Sequence, residues 1–348
     1  AAGTPLPSTD QTGHMGNTGI PIAAPPTAQR RPKQTRGARP AAANRAWLLL
    51  ASLMLAAFPA AALDADKPFR DYVADTWGVE QGLPQISVLS ITQDPAGYLW
   101  FGTQGGLARF DGTRFFRYTQ IDASALGSHV QALHADADGR LWIGTSQGLL
   151  VLEQGRFRAV LPTGAQANGA SFPVHALAPG SDGQVLVGGA DGVYRVDGER
   201  LTLLHPLPGP ALSLLSRADG LWIGTTGRVV QATADGLHPL VLPDVAASTQ
   251  VTALVETADD IWAGTAQGLF QLRHGTWQRA AGAAREAVAP IDALRADGDG
   301  NLWVAMAGQL LRIRDGRIAE RIDDAPAGNA IRALFEDRDG NLWLGSMI

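Results

Sequence analysis

Apolar positions in this chain fall into short runs set apart by Asp-Gly and Gly-rich turns, and beyond Leu63 one such run keeps returning. It reads Gly97-Tyr98-Leu99-Trp100-Phe101-Gly102-Thr103, then Gly139-Arg140-Leu141-Trp142-Ile143-Gly144-Thr145. Further copies centre on Trp222, Trp262, Trp303 and Trp343, and a degenerate copy puts Leu186 where the Trp belongs. The seven key positions are separated by 42, 44, 36, 40, 41 and 40 residues, the period of a repeat architecture. No stretch of this region carries a helical stripe of useful length.

Each unit parses into four strands. An apolar strand such as Val88-Leu89-Ser90-Ile91 or Val251-Thr252-Ala253-Leu254 opens it, and an Asp-Gly turn such as Asp138-Gly139, Asp299-Gly300 or Asp339-Gly340 follows. Gly and Asp tolerate the positive φ that a two-residue hairpin requires. The Leu-Trp-x-Gly-Thr strand is next, then a Gly-Leu strand such as Gly106–Phe110. A second turn, Asp111-Gly112 or Asp315-Gly316, leads to an outer strand carrying Phe115, Phe157 or Trp277. Four short antiparallel strands in about 40 residues make one propeller blade. The chain therefore reads as all-β over residues 63–348, a seven-bladed β-propeller of four-stranded antiparallel blades. The middle strands of a blade are buried on both faces, so each repeat Trp is expected to pack between blades. The Gly two positions later is expected to permit a close backbone approach. The last blade is incomplete, stopping after its second strand at Ile348, which reads as a truncation. A strand from Tyr72 to Trp77 is expected to complete part of it and close the ring, still leaving about one strand unfilled.

Composition changes the picture at the N-terminus. Among 348 residues there is no Cys, which excludes a disulfide scaffold, a thiolate zinc site, an iron–sulfur cluster and a cysteine nucleophile. Residues 1–62 hold six basic side chains, Arg30 to Arg45, and one acidic one, Asp10, whereas the remainder carries 22 basic against 32 acidic side chains. An acidic body argues against a nucleic-acid partner. Ala46–Ala57 is a charge-free apolar run between those arginines and the small-x-small pair Ala60 and Ala62. That is the layout of a secretory signal peptide, placed over residues 46–62 with cleavage near Ala62, and it predicts export. Residues 1–45, rich in Pro, Ala, Gly and Arg, read as a disordered basic extension, with Met15 a candidate start.

The unit Asp-x-Asp-Gly-x-Leu-Trp-Ile-Gly-Thr followed by Gly-Leu resembles the two-component-regulator propeller repeat. The lead-in Trp77-Gly78-Val79-Glu80-Gln81-Gly82-Leu83-Pro84-Gln85 is similar to the opening of such sensors. The resemblance covers roughly residues 67–348, and motif and period agree. It implies an exported, periplasmic sensor region tethered to the inner membrane through downstream domains of the same protein. Those would be a small β-sandwich, a membrane helix and a histidine kinase or diguanylate cyclase output, with a homodimer in the full-length form. This chain departs from that pattern in having about one propeller, no Trp in its third unit, Ala305 for Gly in its sixth and no output signature.

Candidate chemistry is sparse, and neither a cofactor nor a catalytic group is expected. The seven histidines show no metal-ligand spacing. Asp136-x-Asp138-Gly139, Asp297-x-Asp299-Gly300 and Asp337-x-Asp339-Gly340 begin like a calcium loop but lack its distal Glu, and their fixed place in the repeat favours a hairpin turn. Loops where first strands start and second strands end should surround an axial funnel. They offer Gln85, Gln104, His129, Gln147, Asp191, Gln250, Gln267 and Asn329, a mostly amide set suited to a small polar solute, sugar-like or peptide-like. The expected function is a ligand-binding sensor. An exported lyase or glycosidase-like enzyme, which needs clustered acids, His or metal, and a protein-interaction scaffold are the alternatives.

Overall fold

The computed structural model describes residues 68–118, 129–163, 171–181, 183–258, 260–280, 289–323, 325 and 330–347, all within the unit Pro59–Ile348. The expected basic extension and signal peptide lie outside the described residues. The first blade is β1 (Val88–Gln93), β2 (Leu99–Thr103), β3 (Gly106–Phe110) and β4 (Phe115–Tyr118). The second is β5 (Val130–Ala135), β6 (Leu141–Thr145), β7 (Leu149–Glu153) and β8 (Arg156–Pro162). The third is β9 (Ala176–Pro179), β10 (Val185–Gly188), β11 (Gly192–Asp197) and β12 (Arg200–Pro206). The fourth is β13 (Ser213–Arg217), β14 (Gly220–Gly224), β15 (Arg228–Thr233) and β16 (Gly236–Val241). The fifth is β17 (Val251–Glu256), β18 (Ile261–Thr265), β19 (Gly268–Arg273) and β20 (Thr276–Arg279). The sixth is β21 (Ala293–Ala296), β22 (Leu302–Met306), β23 (Gln309–Arg314) and β24 (Arg317–Ile322), and the seventh holds, among the described residues, β25 (Ile331–Glu336) and β26 (Leu342–Ser346). Strands pair in chain order within each blade, and a short parallel pairing of β8 with β12 joins blades 2 and 3 into one eight-stranded sheet.

The repeat glycine sets the distance between blades. A Cβ on Gly102 would lie 2.6 Å from Val130 Cγ1, and one on Gly144 would lie 2.5 Å from Val174 Cγ1. The same step at Gly264 meets Ile291 at 2.8 Å. Each contact is with residues at or just before the next blade's inner strand, which carries the small or branched side chain that fits against a bare backbone. Gly345 repeats the contact at 2.8 Å from Val88 Cγ1, so blade 7 packs on blade 1 as blades 1, 2 and 5 pack on their successors. The ring closes through its inner strands.

The repeat Trp has a fixed polar partner. The indole N–H of Trp100, Trp142, Trp303 and Trp343 donates to the carboxylate six residues earlier, on Asp94, Asp136, Asp297 and Asp337, at 2.7 to 2.9 Å. The other oxygen of the same carboxylate takes turn amides, as Asp297 Oδ1 does from Asp299 and Asn301. A buried indole N–H is thereby satisfied while its rings fill the gap between blades. Asp219 and Thr257 take the indole N–H in blades 4 and 5. Blade 3 has Gly180 where the Asp would stand and Leu186 where the Trp would stand, so both partners are lost together. The Asp-x-Asp-Gly signature is thus a turn that also anchors the Trp.

The two hairpin turns of a blade differ. Asp315 and Gly316 both have positive φ, 51° and 71°, between the paired Arg314 and Arg317, as expected of a two-residue loop. The turn before the Trp is one residue longer than expected. Asp136 N–H donates to the Arg140 carbonyl, Gly139 N–H donates back to Asp136, and Gly139 has φ 81°. That is a three-residue loop ending in a left-handed glycine. Replacing Asp297 with Ala should cost about 1–3 kcal/mol, because the Trp303 indole and two turn amides lose their acceptor. Urea denaturation reads this directly, and Asp297→Asn should cost less.

The lead-in corrects one expectation. Residues 72–77 form no strand, and blade 7 has two strands among the described residues. Phe69, in a short 3-10 turn, instead packs on Trp303 of blade 6 and its N–H donates to Glu320 at 2.7 Å. Trp77 packs edge-on against Phe110 and Phe115 of blade 1, at 4.9 and 6.0 Å. Residues 73–76 between them are exposed, with Val73 91% accessible. Aromatic anchoring at both ends, rather than backbone pairing, holds this strap.

Candidate functional site

The structure brings the described rim residues to one end of their blades, where first strands begin and second strands stop, as the pairs Val88↔Thr103, Val130↔Thr145 and Val251↔Thr265 show. Several of these side chains hold their own loops. Gln85 Oε1 accepts from Ser87 N–H at 2.6 Å, and Gln267 Oε1 accepts from Ala246 N–H at 2.9 Å. Asp191 accepts from the Tyr194 hydroxyl at 2.7 Å. Gln104 Nε2 reaches Met347 Sδ at 3.8 Å, tying blade 1 to blade 7. Gln147 and Gln250 are exposed, and the His129 carbonyl accepts from Ser146 N–H. Asn329 lies outside the described residues.

One step further in, the inner strands present a second ring that the sequence reading did not single out. β1, β5, β17 and β25 each carry a register shift, between Val88 and Ser90, Val130 and Ala132, Val251 and Ala253, and Ile331 and Ala333. The extra residue of such a bulge leaves the pairing and re-aims its side chain. It is Leu89, Gln131, Thr252 or Arg332. His175, Leu212 and Asp292 stand at the same step of blades 3, 4 and 6, each donating its N–H to the glycine or alanine carbonyl of the second strand. Asp292 and Arg332 pair at 3.6 Å, joining blades 6 and 7. A signal was present in the sequence: this step holds a polar residue in five of seven repeats, amid apolar neighbours.

The first strands of blades 1 to 6 line a cavity of about 330 Å³, within the size range of small-molecule sites. His175, Leu212 and Thr252 of the bulge ring line it, as do Ser90, Ala132 and Ser213. Burial pushes the His175 imidazole below its ordinary value, so at neutral pH it is an uncharged donor and acceptor. Among the described residues no three His, Cys, Asp or Glu side chains are placed to hold a metal ion.

Burial also lowers His134 and His205, with Asp136 pulling His134 partly back. The folded chain then binds fewer protons than the unfolded one, so this stabilisation is complete above about pH 6.5 and is lost as pH falls through the lowered values. Asp136 acts in the same direction at lower pH. Burial raises its pKa, but hydrogen bonds from Trp142 and Arg140 outweigh burial and hold it below the carboxylate range. The midpoint of thermal unfolding should therefore fall between about pH 7.5 and pH 5, and a flat profile would show these imidazoles are solvated.

Three segments, residues 82–105, 124–147 and 326–347, match the two component regulator propeller family. None of the curated proteins matches the chain in sequence. Among solved structures it is similar to the extracellular domains of two hybrid two component systems of B. thetaiotaomicron. The first has a TM-score of 0.64 at 23% identity, over 78% of this chain and 40% of that one. The second has 0.61 at 22%, over 76% and 38%. This chain thus spans about two fifths of their length. Virginiamycin B lyase from Staphylococcus aureus is similar at a TM-score of 0.60 and 14% identity, over 75% of this chain and 92% of the lyase. At these identities the likenesses carry the propeller fold alone.

Proposed function

We propose, from the premise that this chain carries two-component-regulator propeller repeats on a seven-bladed ring, that it is the ligand-sensing input region of an exported signalling protein. The observation that carries the reading is the family match at blades 1, 2 and 7, within a ring whose inner strands line an open cavity of small-molecule size. In this reading the chain itself performs no catalysis. It lies in the periplasm, held to the inner membrane by downstream domains, and gates a histidine kinase or diguanylate cyclase. The rim amides Gln104 and Gln267 and the ring below them receive a small solute through hydrogen bonds that carry no full-charge desolvation cost. Such a solute must bind two states of the whole protein unequally, or it shifts nothing. The test is the kinase or cyclase activity of the full-length protein in membranes, titrated with sugars and short peptides. Activity that changes with a solute, and loses that response in Gln104→Ala or Gln267→Ala, supports the reading. An exported protein whose N-terminus starts close to Leu63 supports the localisation, and a retained Arg30–Arg45 region on it would overturn cleavage.

A further inference from the structure

The cavity has a second layer. Leu133, Leu177, Leu214, Leu254 and Leu294 all line it, and all stand at one register step, opposite the residue that follows the repeat Trp or its Leu186 substitute. Ile91 and Leu334 occupy that step in blades 1 and 7, opposite Phe101 and Leu344. The leucines of blades 2 to 6 therefore make an aliphatic girdle on the cavity wall. The step before it is occupied by Ser or Ala in every blade, from Ser90 to Ala333, which leaves room between the girdle and the bulge ring above. That ring is polar and, across blades 2, 3 and 5, uncharged, with Gln131, His175 and Thr252.

Of the ring's side chains, His175 and Thr252 line the cavity, and both are uncharged groups that donate and accept hydrogen bonds. The fixed charges of the ring, Asp292 and Arg332, already meet each other.

We infer that the axial site takes an amphipathic small molecule, with a neutral head that donates an N–H or O–H and an unbranched aliphatic tail. The head sits in the bulge ring, bonding His175 and Thr252. The tail enters the leucine girdle, where burying methylenes is favourable and a fully hydroxylated solute would leave its hydroxyls unpaired. This deepens the sensor reading and rests on it only for the consequence of binding, not for the binding itself.

Straight-chain primary amides from butanamide to decanamide, titrated calorimetrically into the propeller chain, test the inference. Affinity should rise about fourfold per added methylene until the cavity is filled, and Leu214→Gln should flatten that slope while Thr252→Val weakens every member equally. Should Leu214→Gln fail to fold, the slope in the unsubstituted protein decides alone. Affinity independent of tail length, or glucose and glycylglycine binding as well as decanamide, overturns the inference. The two readings fail separately when the same compounds are added to the full-length protein. A polar solute that changes output while the amides fail to bind overturns the tail and leaves the sensor standing. Amides that bind with the expected slope, with output unchanged by them and by every sugar and peptide, uphold the tail and remove the sensor reading.

Discussion

Replacing Trp142 with Ala should lower the unfolding free energy by about 3–5 kcal/mol, the cost of deleting a large core side chain and leaving a void. Trp142 is 4% exposed and packs in a cluster with Leu149, Val174 and Val187, drawn from blades 2 and 3, so the void opens at a blade interface. The substitution also removes the donor to Asp136 Oδ2, which retains the Arg140 guanidinium. Trp262→Ala should cost a similar amount, since Trp262 is 3% exposed and packs on Ile291 and Leu302 of the next blade. Guanidinium titration of both variants against the parent checks this, and a change near zero would show that neither indole is buried between blades. A cycle with Asp136→Ala should show coupling, because the two side chains share one hydrogen bond.

Replacing Gly188 with Val should be at least as disruptive as ordinary overpacking, at or above the upper end of about 1–3 kcal/mol. A Cβ there would lie well inside contact distance of the Ala211 carbonyl oxygen, and a backbone atom of the next blade has no rotamer through which to yield. The blades must part, so the inner wall of the cavity should open as well. Gly209→Ala is the matched control, because nothing stands within 4 Å of its Cβ position. Thermal unfolding of the two variants should differ by many degrees, and equal midpoints would mean the blades are not in register at that step. Blade 6 shows the limit of the rule, since Ala305 is fully buried at this position within the cluster that holds Ile331. The interface between blades 6 and 7 accommodates one methyl there.

Much of this was legible from residues near one another in sequence. The period of the Trp-x-Gly phrase, the four strands per unit and the outer-strand aromatics Phe115, Phe157 and Trp277 all depend on local alternation and turn chemistry, which the chain encodes within about 40 residues. The two-residue turn at Asp315-Gly316 was legible for the same reason. The position of the rim amides where first strands begin and second strands stop was legible, yet Gln85 and Gln267 spend acceptors on Ser87 and Ala246, because a loop residue's partner is chosen by how the loop folds back.

What the sequence determined by itself is the blade: its strands, its count and the positions of Trp and Gly, since these follow from short-range pattern. Only the tertiary structure decided how blades meet. The anchoring of each Trp to an Asp six residues earlier requires the turn to be folded, and the closure of blade 7 on Val88 joins residues at opposite ends of the described ring. The strap from Phe69 to Trp77 is held by rings from blades 6 and 1 that no local pattern brings together. The axial girdle is the furthest case. Leu133 and Leu294 are ordinary strand leucines in sequence, and they become part of one wall only because the ring brings equivalent positions of different blades to one cavity.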